Sequence, residues 1–88
     1  MSVDIINLET LGERLARVRK TYGESIDLPN LGRAVFASLL GVSARAYAAY
    51  ELGEREPPID FLIALRNKTQ ISLDWLLDPH QPGHRPFR

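Results

Sequence analysis

The stretch Phe36 to Gly53, FASLLGVSARAYAAYELG, decides how this chain is read. Phe36, Leu39 and Leu40 recur at helical spacing and predict one apolar face. Gly41 stands where a helix ends in the left-handed region, which glycine enters without a Cβ penalty. Val42 is a single apolar plug, and Ser43 is placed to cap the next helix by accepting a backbone N–H. Ala44 to Leu52 is rich in alanine, the best helix former, and Gly53 ends it. Tyr47 and Tyr50 are the inward anchors expected of that helix.

Two short helices around a glycine-containing turn are the sequence form of a helix-turn-helix. In its DNA-binding versions the second helix lies in the major groove. A plain helical hairpin inside a small bundle carries the same local pattern, so this stretch alone leaves both readings open.

The flanking sequence predicts more helices. Thr10 and Glu13 have capping-box spacing, and Leu11, Leu15, Val18 and Tyr22 repeat as one buried stripe up to Gly23, the expected helix end. ESIDLPN, residues 24–30, is the least regular part; Pro29 biases Leu28 away from helix. Asn30 is the expected cap of a helix from Leu31 to Leu40, with Leu31, Val35, Phe36, Leu39 and Leu40 inward. After the charged loop Glu54 to Pro58, a helix starts at Pro58 or Ile59 and turns Ile59, Leu62, Ile63 and Leu65 inward. Ser72 caps a last short helix, Leu73 to Leu77, with Asp74 near its positive end and Trp75 among its apolar residues. Leu15, Val18, Phe36, Ala37, Leu40, Val42, Tyr47, Leu62, Leu65 and Trp75 are expected to meet in one core. Val3, Ile5 and Ile6 belong to a short arm that packs on something or pairs as an edge. Pro79, Pro82, Gly83 and Pro86 make residues 79–88 a flexible tail.

Composition bounds the function. The 88 residues make one domain, and 44% hydrophobic with 25% charged residues is ordinary for a globular protein. No apolar run approaches the roughly 20 residues of a membrane span, and MSVDIINLET lacks the pattern of a signal peptide. With no cysteine there is no disulfide framework, thiolate zinc site or cysteine nucleophile. A cytoplasmic protein is the simplest fit. The formal net charge of zero counts against a strongly electrostatic nucleic-acid binder. The charges are uneven, however: Asp4, Glu9 and Glu13 precede a basic run of Arg14, Arg17, Arg19 and Lys20. Such a run is usually a solvated helix surface, but it also lets a neutral total hide a basic face. His80 and His84 are four apart among prolines, which favours a loose tail over a metal site, and with Arg85 and Arg88 they form an unspecific basic patch. Glu51, Glu54 and Glu56 converge with no nucleophile or base, and there is no phosphate-cradling glycine loop. Neither enzyme, metal nor cofactor is expected.

LGERLARVRKTYG, FASLLGVSARAYAAYELGEREPPIDFL and ISLDWLLD, in this order, resemble the XRE-type, or lambda-repressor-like, helix-turn-helix family over about Leu11 to Asp78. The resemblance rests on Arg19 and Gly23, on Ala37, on Gly41-Val42-Ser43, on Glu51, Gly53, Arg55 and Pro57, and on Ser72 to Leu77. It implies an all-α, compact five-helix domain over residues 1–78, with the helix-turn-helix at about 31–53. It also implies operator binding as a homodimer on double-stranded DNA and a role in transcriptional control. It places Ala37 at the close crossing of the second and third helices and pairs Arg19 with Glu51 as a structural ion pair. On the DNA side it points to Arg33, Ser43, Ala44, Arg45, Ala48, Ala49 and Arg55. Of the base-facing residues Ala44, Arg45, Ala48 and Ala49, only Arg45 can make the two-pronged contact to guanine; the alanines offer apolar contact to thymine methyls. Arg33 falls where many members carry a phosphate-touching glutamine, after a loop longer than the family pattern. So thin a reading head also fits a second class, a protein-interaction module on the same fold, such as an antitoxin-like or anti-repressor partner.

Overall fold

The computed structural model describes residues 9–78. Val3, Ile5 and Ile6, and the whole of the expected tail, lie outside the described residues. Within them the chain forms α1 (Leu11–Ser25), α2 (Arg33–Leu40), α3 (Ala44–Glu51), α4 (Ile59–Thr69) and α5 (Leu73–Leu77), with no strand.

Local chemistry explains most of the boundaries. Thr10 accepts from the Glu13 backbone N–H, and the Glu13 carboxylate accepts from that of Thr10, so the capping box is closed in both directions. Ser43 caps α3 by accepting from Ala46, and Ser72 caps α5 by accepting from Trp75. Gly41 ends α2 at φ 77°, and its N–H and that of Val42 return to the Ser38 and Ala37 carbonyls.

Two boundaries differ from the sequence expectation. α1 does not stop at Gly23 but continues to Ser25, and the chain turns at Asp27, which takes the left-handed φ of 62°. Gly23 is needed inside the helix for another reason. A Cβ there would stand 2.5 Å from the Leu28 carbonyl oxygen and 2.8 Å from the Leu31 Cβ, so its absence lets the α1–α2 loop close against the helix. α2 begins at Arg33 instead of Leu31, and its N-cap is Gly32, with no side-chain hydrogen bond, instead of Asn30.

The helices close on one core. Leu15, Val18, Phe36, Ala37, Leu40, Tyr47, Leu62, Leu65 and Trp75 are buried in it, and Val42 packs against it half-buried. Phe61, Ile71 and Leu76 join them. The aromatic rings form a chain. Phe36 meets Tyr47 edge-on at 5.4 Å between centroids, Tyr22 lies 5.8 Å from Phe36, and Phe61 bridges Tyr47 at 6.1 Å and Tyr50 at 4.8 Å.

Four expected core residues face outward: Val35 and Leu39 on α2, Ile59 and Ile63 on α4. On α2 the buried set is Phe36, Ala37 and Leu40; on α4 it is Phe61, Leu62, Leu65 and Thr69. Ile59 and Ile63 sit about half a turn away from Phe61 and Leu65 and form a second apolar strip. Both helices carry apolar residues on more than one face, and only the neighbours decide which face is covered.

The basic run of α1 is also not a plain solvated surface. Arg17 and Lys20 are exposed, but Arg14 is buried at 2% exposure. The Arg14 and Arg17 guanidinium carbons lie 5.5 and 5.7 Å from the Trp75 ring centroid, and Glu9 approaches both arginines.

Gly12 marks the closest approach among the described glycines. A Cβ on it would fall 2.0 Å from the Glu51 carbonyl oxygen, on backbone that has no freedom to move aside. Gly12→Ala is therefore expected to destabilise by about 1–3 kcal/mol, the range of overpacked sites, although alanine is the better helix former. Gly32→Ala, where an added Cβ meets nothing within 4 Å, loses only the preference of an N-cap for glycine over alanine and is expected to cost no more than about 1 kcal/mol. Urea unfolding of the two variants beside the parent checks both.

Candidate nucleic-acid interface

The C-terminal end of α3 is held by the carboxylate of Glu51, whose side chain is 1% exposed. Arg19 on α1 donates to it twice, Nε to Oε2 at 2.8 Å and Nη2 to Oε1 at 3.3 Å. The same guanidinium donates through Nη1 to the Leu31 carbonyl at 2.8 Å, which ties the α1–α2 loop into the cluster. Arg33 on α2 donates Nε to Oε1 at 2.8 Å, and the Tyr47 hydroxyl, one turn back on α3, donates to Oε2.

The electrostatics follow from these contacts. Burial alone would push the Glu51 carboxyl up, but the hydrogen bonds from Arg19, Tyr47 and Arg33 outweigh it and hold the group below the ordinary carboxylate range. The bond to Glu51 raises Arg19 above the usual guanidinium value. Burial, then the bond to Glu51, drives the Tyr47 phenol far up, so it stays a donor at any working pH.

The opposite end of α3 is the open one. Ser43, Ala44 and Arg45 are exposed, and Ala48 is half-buried. The Ser43 hydroxyl accepts from Ala46 and keeps its own O–H for another acceptor. Arg45 and Arg55 come together on one open hollow of ≈ 420 Å³, lined also by Ser43, Ala46, Ala49 and Glu54. Arg55 stacks its guanidinium 5.9 Å from the centroid of Tyr50.

Ala49 departs from the expected base-facing role. It is buried at 9% exposure, because the chain after α3 folds back over it and the Glu54 and Arg55 N–H groups both bond its carbonyl. An alanine is too short to reach out from beneath that loop, so Ala49 forms part of the hollow's lining instead of a projecting contact. Arg33 also differs from a simple surface cation: its Nε belongs to Glu51, while its side chain remains 45% exposed. Two participants lay outside the sequence reading. The Tyr47 hydroxyl sits four residues before Glu51, a helical spacing that was visible. Glu54 on the hollow had no sequence signal beyond its place in a charged loop.

A glycine-turned pair of helices, the second pinned at its far end and exposing an arginine at its near end, defines a helix-turn-helix protein. Comparison with known families agrees. The family model described as helix-turn-helix matches residues 30–76, and the chain belongs to this XRE-type family. It is similar to two proteins of Bacillus subtilis (strain 168). The uncharacterized HTH-type transcriptional regulator YqaE is 51% identical over 41 residues, 47% of this chain and 35% of that protein. The SPbeta prophage-derived uncharacterized HTH-type transcriptional regulator YonR is 35% identical over 66 residues, 75% of this chain and 55% of that protein. The chain thus spans about a third of the first relative and about half of the second. No solved structure matches it. No described helix is long and apolar enough to cross a membrane, and no group of His, Cys, Asp and Glu among the described residues is placed to hold a metal. His80 and His84 lie outside the described residues.

The depressed Glu51 carboxyl makes stability pH-dependent. It stabilises the fold fully above the unfolded value of about 4.3 and loses that contribution as pH falls through its lower folded value. Glu51→Gln is expected to destabilise at pH 7, up to about 3–5 kcal/mol for a broken buried pair. It is also expected to flatten the acid limb. Thermal melts of parent and variant between pH 7 and pH 2 measure both effects.

Proposed function

We propose that this chain is a DNA-binding transcriptional regulator, not an enzyme, and that it binds its operator as a homodimer. The observation that carries the reading is the position of Arg45. It is exposed at the second residue of α3, the position from which a recognition helix reaches base edges. The other end of that helix is clamped through Glu51 to α1 and α2. Arg45 then reads the O6 and N7 of a guanine, and Arg33 and Arg55 meet phosphates. Ser43 adds a hydroxyl beside Arg45 and Arg55. The family match and the names of the two relatives, both transcriptional regulators, support the reading.

Dimerisation follows from the size of the reading head. One long polar side chain reads too few bases for useful specificity, and two-fold pairing doubles the site with recognition helices about 34 Å apart. α5 lies outside the helix-turn-helix and buries Trp75 and Leu76 in the core, while its Leu77 is half exposed, which supports a contact there.

The second reading, a protein-interaction module, is favoured by a different surface. Ile26, Leu28, Val35 and Leu39 are all exposed around the α1–α2 loop and the outer face of α2. Salt dependence separates the readings, because a DNA binder releases counterions and weakens steeply between about 50 and 200 mM salt. A protein-only module retains no duplex at any salt.

Arg45→Ala is expected to lose about 1–3 kcal/mol of discrimination at one base pair of each half-site. Arg55→Ala is expected to weaken binding to all sequences alike and to lower the salt slope by about one counterion. Arg33→Ala is expected to do the same and also to cost stability through Glu51. Titrations on matched specific and random duplexes, with light scattering of the free and bound protein, check the arginine assignments and the two-to-one stoichiometry. An unchanged specific-to-random ratio in Arg45→Ala moves the reading head elsewhere.

A further inference from the structure

Four exposed large apolar side chains gather at one place. Ile26 and Leu28 stand on the α1–α2 loop, and Val35 and Leu39 one turn apart on the outer face of α2, each between 39% and 53% exposed. Leu28 and Val35 also line a hollow of ≈ 370 Å³ with Pro29, Asn30, Leu31 and Gly32. Its walls are held in place. The Leu28 N–H bonds the Gly23 carbonyl at 2.7 Å, the Leu31 N–H bonds the Leu28 carbonyl at 3.0 Å, and Arg19 donates to the Leu31 carbonyl at 2.8 Å. A concave, largely apolar site of this kind takes an inserted apolar side chain without rearranging.

The rim is acidic at the loop end. Glu24, on the last turn of α1, and Asp27, beside Leu28, are exposed, and among the described residues neither carboxylate has an ion pair or hydrogen bond. Two cations stand nearby in sequence: Arg33 turns its Nε to Glu51, and Lys20 lies one turn before Glu24 on α1. An occupant that matches this site carries an apolar anchor with positive charge on either side of it. The chain holds one such segment. Residues 85–88, Arg-Pro-Phe-Arg, set Phe87 between Arg85 and Arg88, outside the described residues. The N-terminal arm offers Val3, Ile5 and Ile6, but it sets Asp4 among them, which the same two carboxylates repel.

The distance is within reach. Trp75 on α5 lies against Arg14 and Arg17. From Arg17 to Ser25, where the loop begins, α1 advances by about 12 Å. Residues 79–87 can span up to about 28 Å at the rise of an extended, proline-rich segment. A tether of that length presents Phe87 to the hollow at an effective concentration of about millimolar, so even a weak contact is populated.

We propose that Phe87 seats in the hollow between Leu28 and Val35 of its own chain, with Arg85 and Arg88 against Glu24 and Asp27. The segment then straps α5 to the α1–α2 loop, and a partner protein that uses the outer face of α2 has to displace it. This seat is independent of whether α3 faces DNA.

The test is nuclear magnetic resonance on the full chain with leucine and valine methyl groups labelled. Cross-peaks are expected from the Phe87 ring to the Leu28 and Val35 methyls, with ring-current shifts of those methyls, at every protein concentration. Phe87→Ala is expected to abolish both and to leave the Leu15 and Leu65 methyls of the core unmoved. Glu24→Lys combined with Asp27→Lys is expected to return Leu28 and Val35 toward their positions in Phe87→Ala. Val35→Asp is expected to remove the cross-peaks to Leu28. If Val35→Asp does not fold, Phe87→Ala, which lies outside α1 to α5, still decides. Leu28 and Val35 methyls that Phe87→Ala leaves unmoved overturn the proposal. Cross-peaks that survive the double charge reversal at full strength overturn it as well. So do cross-peaks that vanish on dilution, because they come from a second copy of the chain.

Discussion

The Glu51 carboxylate is the constraint on which the rest of the structure depends. Taking a carboxylate out of water costs several kcal/mol, and here Arg19, Arg33 and Tyr47 offset that cost by supplying donors to both oxygens. An eight-residue helix such as α3 is too short to hold itself in water. Its direction must come from its contacts, and its C-terminal residue is fixed twice: the backbone carbonyl rests on Gly12 and the side chain on Arg19. Arg33 brings the start of α2 to the same carboxylate, and Arg19 adds the Leu31 carbonyl. One charged group thereby sets the mutual placement of α1, α2 and α3, and geometry more than net stability is what such a buried cluster supplies.

The clamp also explains how a chain with a formal net charge of zero can present positive charge. Its acids are partly used up internally. Glu51 answers Arg19 and Arg33, and Glu9 lies against Arg14 and Arg17. Two guanidiniums against one carboxylate leave the Glu51 cluster with a positive surplus, and Arg33 carries it toward solvent. Among the described residues Arg45 is exposed without an acid partner, and Arg55 leans on a tyrosine ring instead of a carboxylate. Total charge is a poor guide to a local field when the opposite charges are consumed in the core.

At the open end of α3 the same economy holds with respect to side-chain size. The helix is stiff because alanine suits it, and bare because alanine has nothing to offer a hydrogen-bonding partner. Burial of Ala49 under the returning chain turns that bareness into a hollow between Arg45 and Arg55. A rigid, weakly featured surface discriminates through shape and a few well-placed groups, not through a dense hydrogen-bond code.

What the sequence by itself determined is what acts within a few residues. The capping box of Thr10 and Glu13, the serine caps at Ser43 and Ser72, the left-handed Gly41 and the inward pair Tyr47 and Tyr50 all stand where spacing and residue type placed them. Arg19 and Glu51, 32 residues apart, were joined only through a family pattern, since nothing local links them. Tertiary structure alone decided which side of an all-round apolar helix is covered. Val35 and Ile59 resemble Phe36 and Phe61 in hydrophobicity, yet the first pair faces out because the neighbouring helices close on the other side. It also decided that Gly12 and Gly23 are sites of close approach, that Arg14 is buried against Trp75, that Arg33 turns to Glu51, and that Ala49 sinks beneath its loop. Each of these depends on atoms brought together from distant parts of the chain, and periodicity along one helix carries no information about what will lie across from it.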